Sequence, residues 1–214
     1  MELRDLQRLV RKGEGLHLEF KLKANHPDKI MREVIAFANA EGGTLLVGIA
    51  DDKTIKGLKF AEEDEYILKK AFEDYCKPTI EYDFFKIPVE NNREVLGFHI
   101  HKGKRAAYLL EKPKAKKGIA YIRVEDKSIK ASREMHEILR RQKKGKDIKF
   151  HYGDKEKILM EYLETHQSIT LKEFTEIAQI SSKMASKTLI LLVLAGVLSI
   201  KPNEFSDVFE RKME

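Results

Sequence analysis

Four carboxylates, Glu14, Glu19, Asp51 and Asp52, are the residues of this 214-residue chain whose types and spacing most suggest chemistry. They frame a stretch that reads GEGLHLEFKLK, then a helix-like segment ending IAFANAEGG, then TLLVGIADDKTIKG. Hard cations such as Mg²⁺ or Mn²⁺ take several oxygen ligands on a rigid frame and keep part of their water shell. Three carboxylates at strand ends could hold such an ion and activate a water for attack on a phosphodiester. The spacing sets a condition. Five residues is an odd separation, so on one continuous strand Glu14 and Glu19 point to opposite faces. They converge only if Glu14 lies in the turn between Gly13 and Gly15, ahead of the strand, which the two glycines allow. A plainer reading stands beside this one. In it Glu19 and Lys21 are the solvent side of an amphipathic strand and Asp51-Asp52 is a turn. On spacing alone the plainer reading weighs more.

The elements that must position these acids can be read from periodicity. Leu3, Leu6, Leu9 and Val10 recur at helical spacing, predicting a helix over 3–12 that stops at Gly13. Leu16, Leu18 and Phe20 alternate with His17, Glu19 and Lys21, as in a half-buried strand. Pro27 opens a helix whose Ile30, Val34, Phe37 and Ala38 make one stripe, and Gly42-Gly43 ends it. The apolar run 44–49 suits a central strand buried on both faces. A helix over 62–76 is expected to turn Tyr66, Ile67, Ala71, Phe72 and Tyr75 inward. Strands over 80–87 and 94–100 follow, joined by a turn at Asn91-Asn92. The Lys-rich segment 102–118 reads as a long basic loop, 119–124 as a strand, and Ser132 as the cap of a helix reaching about Gln142.

Charge is distributed unevenly. Residues 1–101 carry 16 basic and 19 acidic side chains, 102–149 carry 17 and 6, and 150–214 carry 8 and 10. A net of +11 in the middle of the chain is what a phosphate-tracking surface requires, although a lysine run can also be only a solvated face. Lys102, Lys104, Arg105, Lys114, Lys116 and Lys117 would supply diffuse attraction. Arg123, on the next strand, suits a bidentate phosphate clamp. Lys21 and Lys23 could hold a backbone phosphate beside the acids, or merely balance Glu19.

The composition shift at 143–153 marks a linker between a first domain, 1–142, and a second, 154–214. The second reads as three helices and a trailing hairpin, the pattern of a winged helix. Ser181 caps its third helix, so Ser182, Lys183 and Lys187 would face a nucleic acid. The predicted fold class is α+β, a mixed sheet with packed helices followed by this small winged-helix domain. One cysteine, Cys76, excludes an internal disulfide and a Cys-based zinc cluster. No apolar run is long enough to span a bilayer, so the chain is expected in the cytoplasm, away from membranes. His99 and His101 share one strand face, but lack a third ligand at metal-binding spacing.

Glu14, Glu19-Phe20-Lys21, Ala36-Phe37-Ala38-Asn39, Gly42-Gly43, Gly48-Ile49-Ala50-Asp51 and Gly57, with the later Tyr121-Ile122-Arg123-Val124, resemble the AlbA-like domain of the Schlafen group. The resemblance covers about residues 1–142. It implies a nucleic-acid-binding protein, since many bacterial members join this domain to a winged helix and are described as DNA-binding or transcriptional regulators. Vertebrate relatives imply a second reading, a metal-dependent endoribonuclease acting on structured RNA such as tRNA. Its two Glu and one Asp would fall on Glu14, Glu19 and Asp51, with Asp52 as a substitute and Mg²⁺ or Mn²⁺ as cofactor. The animal enzymes use two such lobes, so a chain with one implies a homodimer. An adaptor that docks a protein through the winged helix is the third reading. An ATP-binding label attached to some members finds no phosphate-binding glycine loop in this sequence.

Overall fold

The computed structural model describes residues 1–113, 115–142 and 151–212. The chain has an α+β fold and divides into two compact units, Met1–Lys130 and Ala131–Glu214.

The first unit is built on a four-stranded sheet in the order β1-β2-β5-β4. Strand β1 (Leu18–Lys21) runs parallel to β2 (Gly43–Val47), with Glu19 level with Leu45. Parallel neighbours need a crossover, and helix α2 (Pro27–Asn39) supplies it. Strand β5 (Arg93–Ile100) pairs antiparallel with β2 and with β4 (Tyr82–Val89). Asn91 and Asn92 take left-handed φ in the β4–β5 turn, a conformation asparagine tolerates. Both sheet faces are covered. Leu6 and Val10 of α1 (Leu3–Lys12) meet Leu18, Phe20, Leu46, Ile87 and Val95 on one side. On the other, α2 and α3 (Ala61–Tyr75) pack on Leu45, Val47, Leu96 and Phe98.

Helix α3 departs from expectation. Its buried residues are Ala61, Leu68, Ala71 and Phe72, while Tyr66 and Ile67 face solvent. The segment 102–118 is also more than a loop. It contains β6 (Tyr108–Leu110), which lies between β3 (Cys76–Lys77) and β7 (Gly118–Ile119). The expected strand 119–124 divides into β7 and β8 (Tyr121–Val124), and β8 pairs with β9 (Lys127–Lys130).

The second unit begins earlier than the sequence suggested. Helix α4 (Arg133–Gln142) belongs to it, because Ile138 is part of its core and the Ser186 hydroxyl donates to the Glu134 carboxylate at 2.5 Å. Ser132 caps α4 as expected, accepting from the Met135 amide at 3.0 Å. Residues 143–150 of the expected linker lie outside the described residues. Helices α5 (Asp154–Thr165), α6 (Leu171–Ile177) and α7 (Ser182–Leu194) follow. Strands β10 (Ser168–Thr170), β12 (Val208–Arg211) and β11 (Leu198–Lys201) form an antiparallel sheet in that order. Thr170 and Glu173 cap α6 reciprocally, and Ser181 caps α7. No single helix among the described residues is long and apolar enough to cross a membrane.

Candidate nucleic-acid interface and the acidic cluster

Strand β1 is a sheet edge, and its outward backbone groups need partners. Gly13 ends α1 with φ of 86°, so Glu14 lies in the turn ahead of the strand. From there Oε1 accepts the Phe20 amide at 2.8 Å, while Gly15 and Leu18 exchange backbone hydrogen bonds. Glu14 therefore blunts the free edge of β1. Burial, the largest influence, holds its carboxyl above the usual range, and the neighbouring Glu19 charge adds to this.

Glu19 is not on a solvent face. Its alternation partners Leu18 and Phe20 are buried against α1, and Glu19 is buried beneath α2. The period-two reading of β1 is right, but both faces are covered. Glu19 accepts from Arg123 Nη2 at 2.8 Å and is ion-paired with Lys21. Arg123 also donates to Glu33 Oε2 at 2.6 Å, to the Gly15 carbonyl at 2.9 and 3.1 Å, to Ser128 Oγ at 3.2 Å and to the Leu18 carbonyl at 3.3 Å. Its guanidinium lies 4.9 Å from the Phe37 ring centre, and the side chain is 0 % exposed. The expected phosphate clamp is thus corrected. Arg123 is a buried tie between β8, β1 and α2, with no donor facing solvent. Glu33 closes the cluster by accepting from Ser128 Oγ, and burial raises its carboxyl above the ordinary range.

Asp51 and Asp52 occupy the tight turn of the plainer reading. Lys53 takes φ of 65°, and Asp52 Oδ1 accepts the Thr54 amide at 2.9 Å; the Thr54 side chain first, and then this amide, lower the Asp52 pKa. Both acids are exposed. Among the described residues no three His, Cys, Asp or Glu side chains are grouped to hold a metal ion. As they stand, Glu14, Glu19 and Asp51 do not fit a divalent cation, because Glu19 is neutralised by Arg123 and Lys21, and Glu14 is spent on the β1 edge. No reaction step is assigned to them.

The basic side chains are more accessible. Lys102, Lys104, Arg105, Lys116 and Lys117 are exposed on the segments flanking β6, and Lys23 is exposed beyond β1. Lys114 lies outside the described residues. Lys102 pairs with Glu41 at 2.6 Å and Lys104 with Glu81 at 3.4 Å, both solvent-exposed contacts. Exposed pairs of this kind contribute about 0–1 kcal/mol, so a phosphate can displace the carboxylate. Residues 101–105 and Pro78–Glu81 also line a cleft of about 230 Å³. In the second unit Ser182, Lys183 and Lys187 are exposed on α7, whereas Ser186 is buried.

Periodicity alone did not single out Glu33 and Asn39. Glu33 lies three residues after Ile30 and four before Phe37, inside the apolar stripe of α2. A carboxylate at such a position signals a buried partner. Asn39 is fully used. Nδ2 donates to the carbonyls of Ala107 and Tyr121, each at 2.9 Å, and Oδ1 accepts the Ala107 amide at 2.8 Å. His99 Nδ1 lies 3.0 Å from Thr44 Oγ1, and His101 Nε2 lies 3.0 Å from Asp83 Oδ2. Burial pushes the Cys76 thiol up to about 12, which suits a core residue rather than a nucleophile.

The family model described as Schlafen, AlbA_2 matches residues 14–132, more than half of the chain. No curated protein matches. Among solved structures, the DIP2311 protein from Corynebacterium diphtheriae is similar at 17% identity and a TM-score of 0.42. That match covers 62% of this chain and 31% of the other, so this chain spans about a third of that protein. The N-terminal domain of a RecG-related protein from Nitrosomonas europaea is similar at 20% identity and the same TM-score, over 70% of this chain and 96% of that domain. With the matched residues spanning the β1 edge, the Arg123 cluster and the basic segments around β6, this chain belongs to the Schlafen AlbA_2 family.

Proposed function

We propose that this protein binds nucleic acid and acts in the cytoplasm as a DNA-binding transcriptional regulator. The observation that carries the reading is the set of exposed cations at 102, 104, 105, 116 and 117 within the Schlafen AlbA_2 region. Such side chains neutralise backbone phosphates without reading sequence. Sequence discrimination would come from the second unit. Its three helices α5–α7, with the β11–β12 hairpin beside β10, support a winged-helix reading in which α7 presents Ser182, Lys183 and Lys187. The acidic cluster serves in this reading as structure.

The test is fluorescence anisotropy on the full chain with labelled duplex DNA and labelled tRNA over a salt series. Lys102→Glu/Lys104→Glu/Arg105→Glu should weaken binding to every sequence, on the order of tenfold or more at low salt, and flatten the salt slope. Lys183→Glu/Lys187→Glu should instead reduce preference for one duplex over bulk DNA. Binding indifferent to both variants would overturn the proposal. Cleavage of the tRNA with Mn²⁺, lost in Glu19→Gln and absent with chelator, would replace it with the endoribonuclease reading. No binding at low salt would leave the adaptor reading.

A further inference from the structure

The cleft between Pro78–Glu81 and residues 101–105 is built unlike the rest of the basic surface. Its least exposed lining residues are Ile80, Pro78 and Gly103, so its floor is apolar side chain and backbone. Lys102, Lys104 and Arg105 stand exposed at its rim, against one lining acid, Glu81. Arg105 has no ion-pair partner among the described residues, and the carboxylates paired with Lys102 and Lys104 are solvent-exposed. The walls are held by the fold itself. The His101 amide donates to the Glu81 carbonyl at 3.0 Å, tying one wall to the other, and the Gly103 amide donates to the Ala38 carbonyl at 2.8 Å. A Cβ at Gly103 would lie 3.0 Å from the carbonyl oxygens of both Ala38 and Arg105, so glycine lets this wall sit close against the end of α2.

Backbone phosphates alone do not account for this shape. A duplex keeps its bases stacked and paired, presents phosphate and sugar to a cationic surface, and gains nothing from an apolar recess. An unpaired nucleotide matches both parts of the cleft. Its base has an apolar face that the Pro78 and Ile80 floor can cover, and its phosphate reaches the cations at the rim. Size agrees. A volume of about 230 Å³ is slightly below the roughly 300–1,000 Å³ of sites for drug-sized ligands, room for one nucleotide and too little for a length of strand. We propose that this cleft binds a single unpaired nucleotide, either at a single-stranded end or extruded base of a nucleic acid or as a free mononucleotide. This assignment rests on the nucleic-acid reading above and adds which form of nucleic acid the basic segment prefers.

Fluorescence anisotropy on the full chain tests this with one labelled duplex, either blunt or carrying a short single-stranded overhang, at a fixed salt concentration. Covering one base should favour the overhang duplex about tenfold. Thr79 lines the cleft and is exposed, so Thr79→Leu narrows it with a larger apolar side chain that offers no aromatic face. That variant should remove the preference, leave blunt-duplex affinity unchanged and melt with the wild type. Added dAMP should abolish the advantage of the overhang without displacing the blunt duplex, and inorganic phosphate at the same concentration should leave that advantage in place. Equal affinity for the two duplexes, or a preference that survives Thr79→Leu, overturns the proposal and leaves the nucleic-acid reading standing. If neither duplex binds, the nucleic-acid reading fails and titration with labelled dAMP decides. Saturable binding that Thr79→Leu removes then keeps the cleft as a free-mononucleotide site, and no binding overturns it as well.

Discussion

Replacing Arg123 with methionine tests most directly whether the acidic cluster is structural. The substitution keeps much of the aliphatic stem over Phe37 and removes the guanidinium. Glu19 and Glu33 lose their buried cation, and the carbonyls of Gly15 and Leu18 lose a donor. Breaking a buried pair by removing one member costs about 3–5 kcal/mol, because the remaining charge stays desolvated. The lost carbonyl partners point the same way, so the upper end of that range is expected. For a unit the size of Met1–Lys130 this corresponds to a fall in melting temperature on the order of 10–20 °C. Circular dichroism melts at neutral pH give the value. The double variant Arg123→Met/Glu19→Gln should lose less than the sum of the single losses, since a neutral amide tolerates burial better than an unpaired carboxylate. Arg123→Lys should fall between, because an ammonium cannot reach both carboxylates and the carbonyls together. If Arg123→Met melts within about 2 °C of the wild type, the structural assignment fails and Arg123 is again available for a ligand.

Three further outcomes are expected. Asn39→Asp turns a carboxylate oxygen toward the Ala107 and Tyr121 carbonyls where an amide now donates, and should cost about 3 kcal/mol or more by urea denaturation. Glu14→Ala leaves the Phe20 amide uncapped on the sheet edge and should cost about 1–2 kcal/mol, with Glu14→Gln recovering much of it. Burial raises the Glu14 and Glu33 carboxyls, so the folded chain holds these protons more tightly than the unfolded chain does. Their contribution to stability is complete below about pH 4.3 and is lost as pH rises through the raised values. Glu33→Gln removes one of the two, and its urea midpoint should fall less than the wild type's between about pH 5 and pH 7.

Local patterns made most elements of this fold legible. The α1 helix, the turn at Gly13, the buried strand β2 and the capped helices of the second unit all follow from spacing and cap residues. What escaped depends on distant partners. The alternation in β1 correctly separates Leu18 and Phe20 from Glu19, but only Arg123, 104 residues later, makes the Glu19 face a buried one. Strand β6 was hidden because its short Tyr-Leu-Leu core sits between lysine-rich flanks and pairs with β3, more than thirty residues earlier. Helix α3 offers apolar residues on two sides. Neither periodicity nor composition decides which side the sheet covers. The α4 assignment failed for a similar reason, since the helix is ordinary by sequence and Ser186 fixes its allegiance. Arg123 was identified as important from its setting. Its role was inverted because a guanidinium suits a buried carboxylate as well as a phosphate.

Asn39 also bears on how this protein could be altered. By bonding to Ala107 and Tyr121 it stitches both ends of the β6–β7 excursion to the end of α2. The hairpin closes with Leu110 level with Gly118, and Glu111, Lys112, Lys116 and Lys117 lie exposed beyond it. Doubling the length of a flexible loop adds only about 0.6 kcal/mol of closure entropy. The tip between these strands is therefore a natural point for inserting a fluorescent tag, a protease site or a foreign recognition peptide. Its base is held independently of what the tip contains, so new sequence there can be varied with little demand on the rest of the chain.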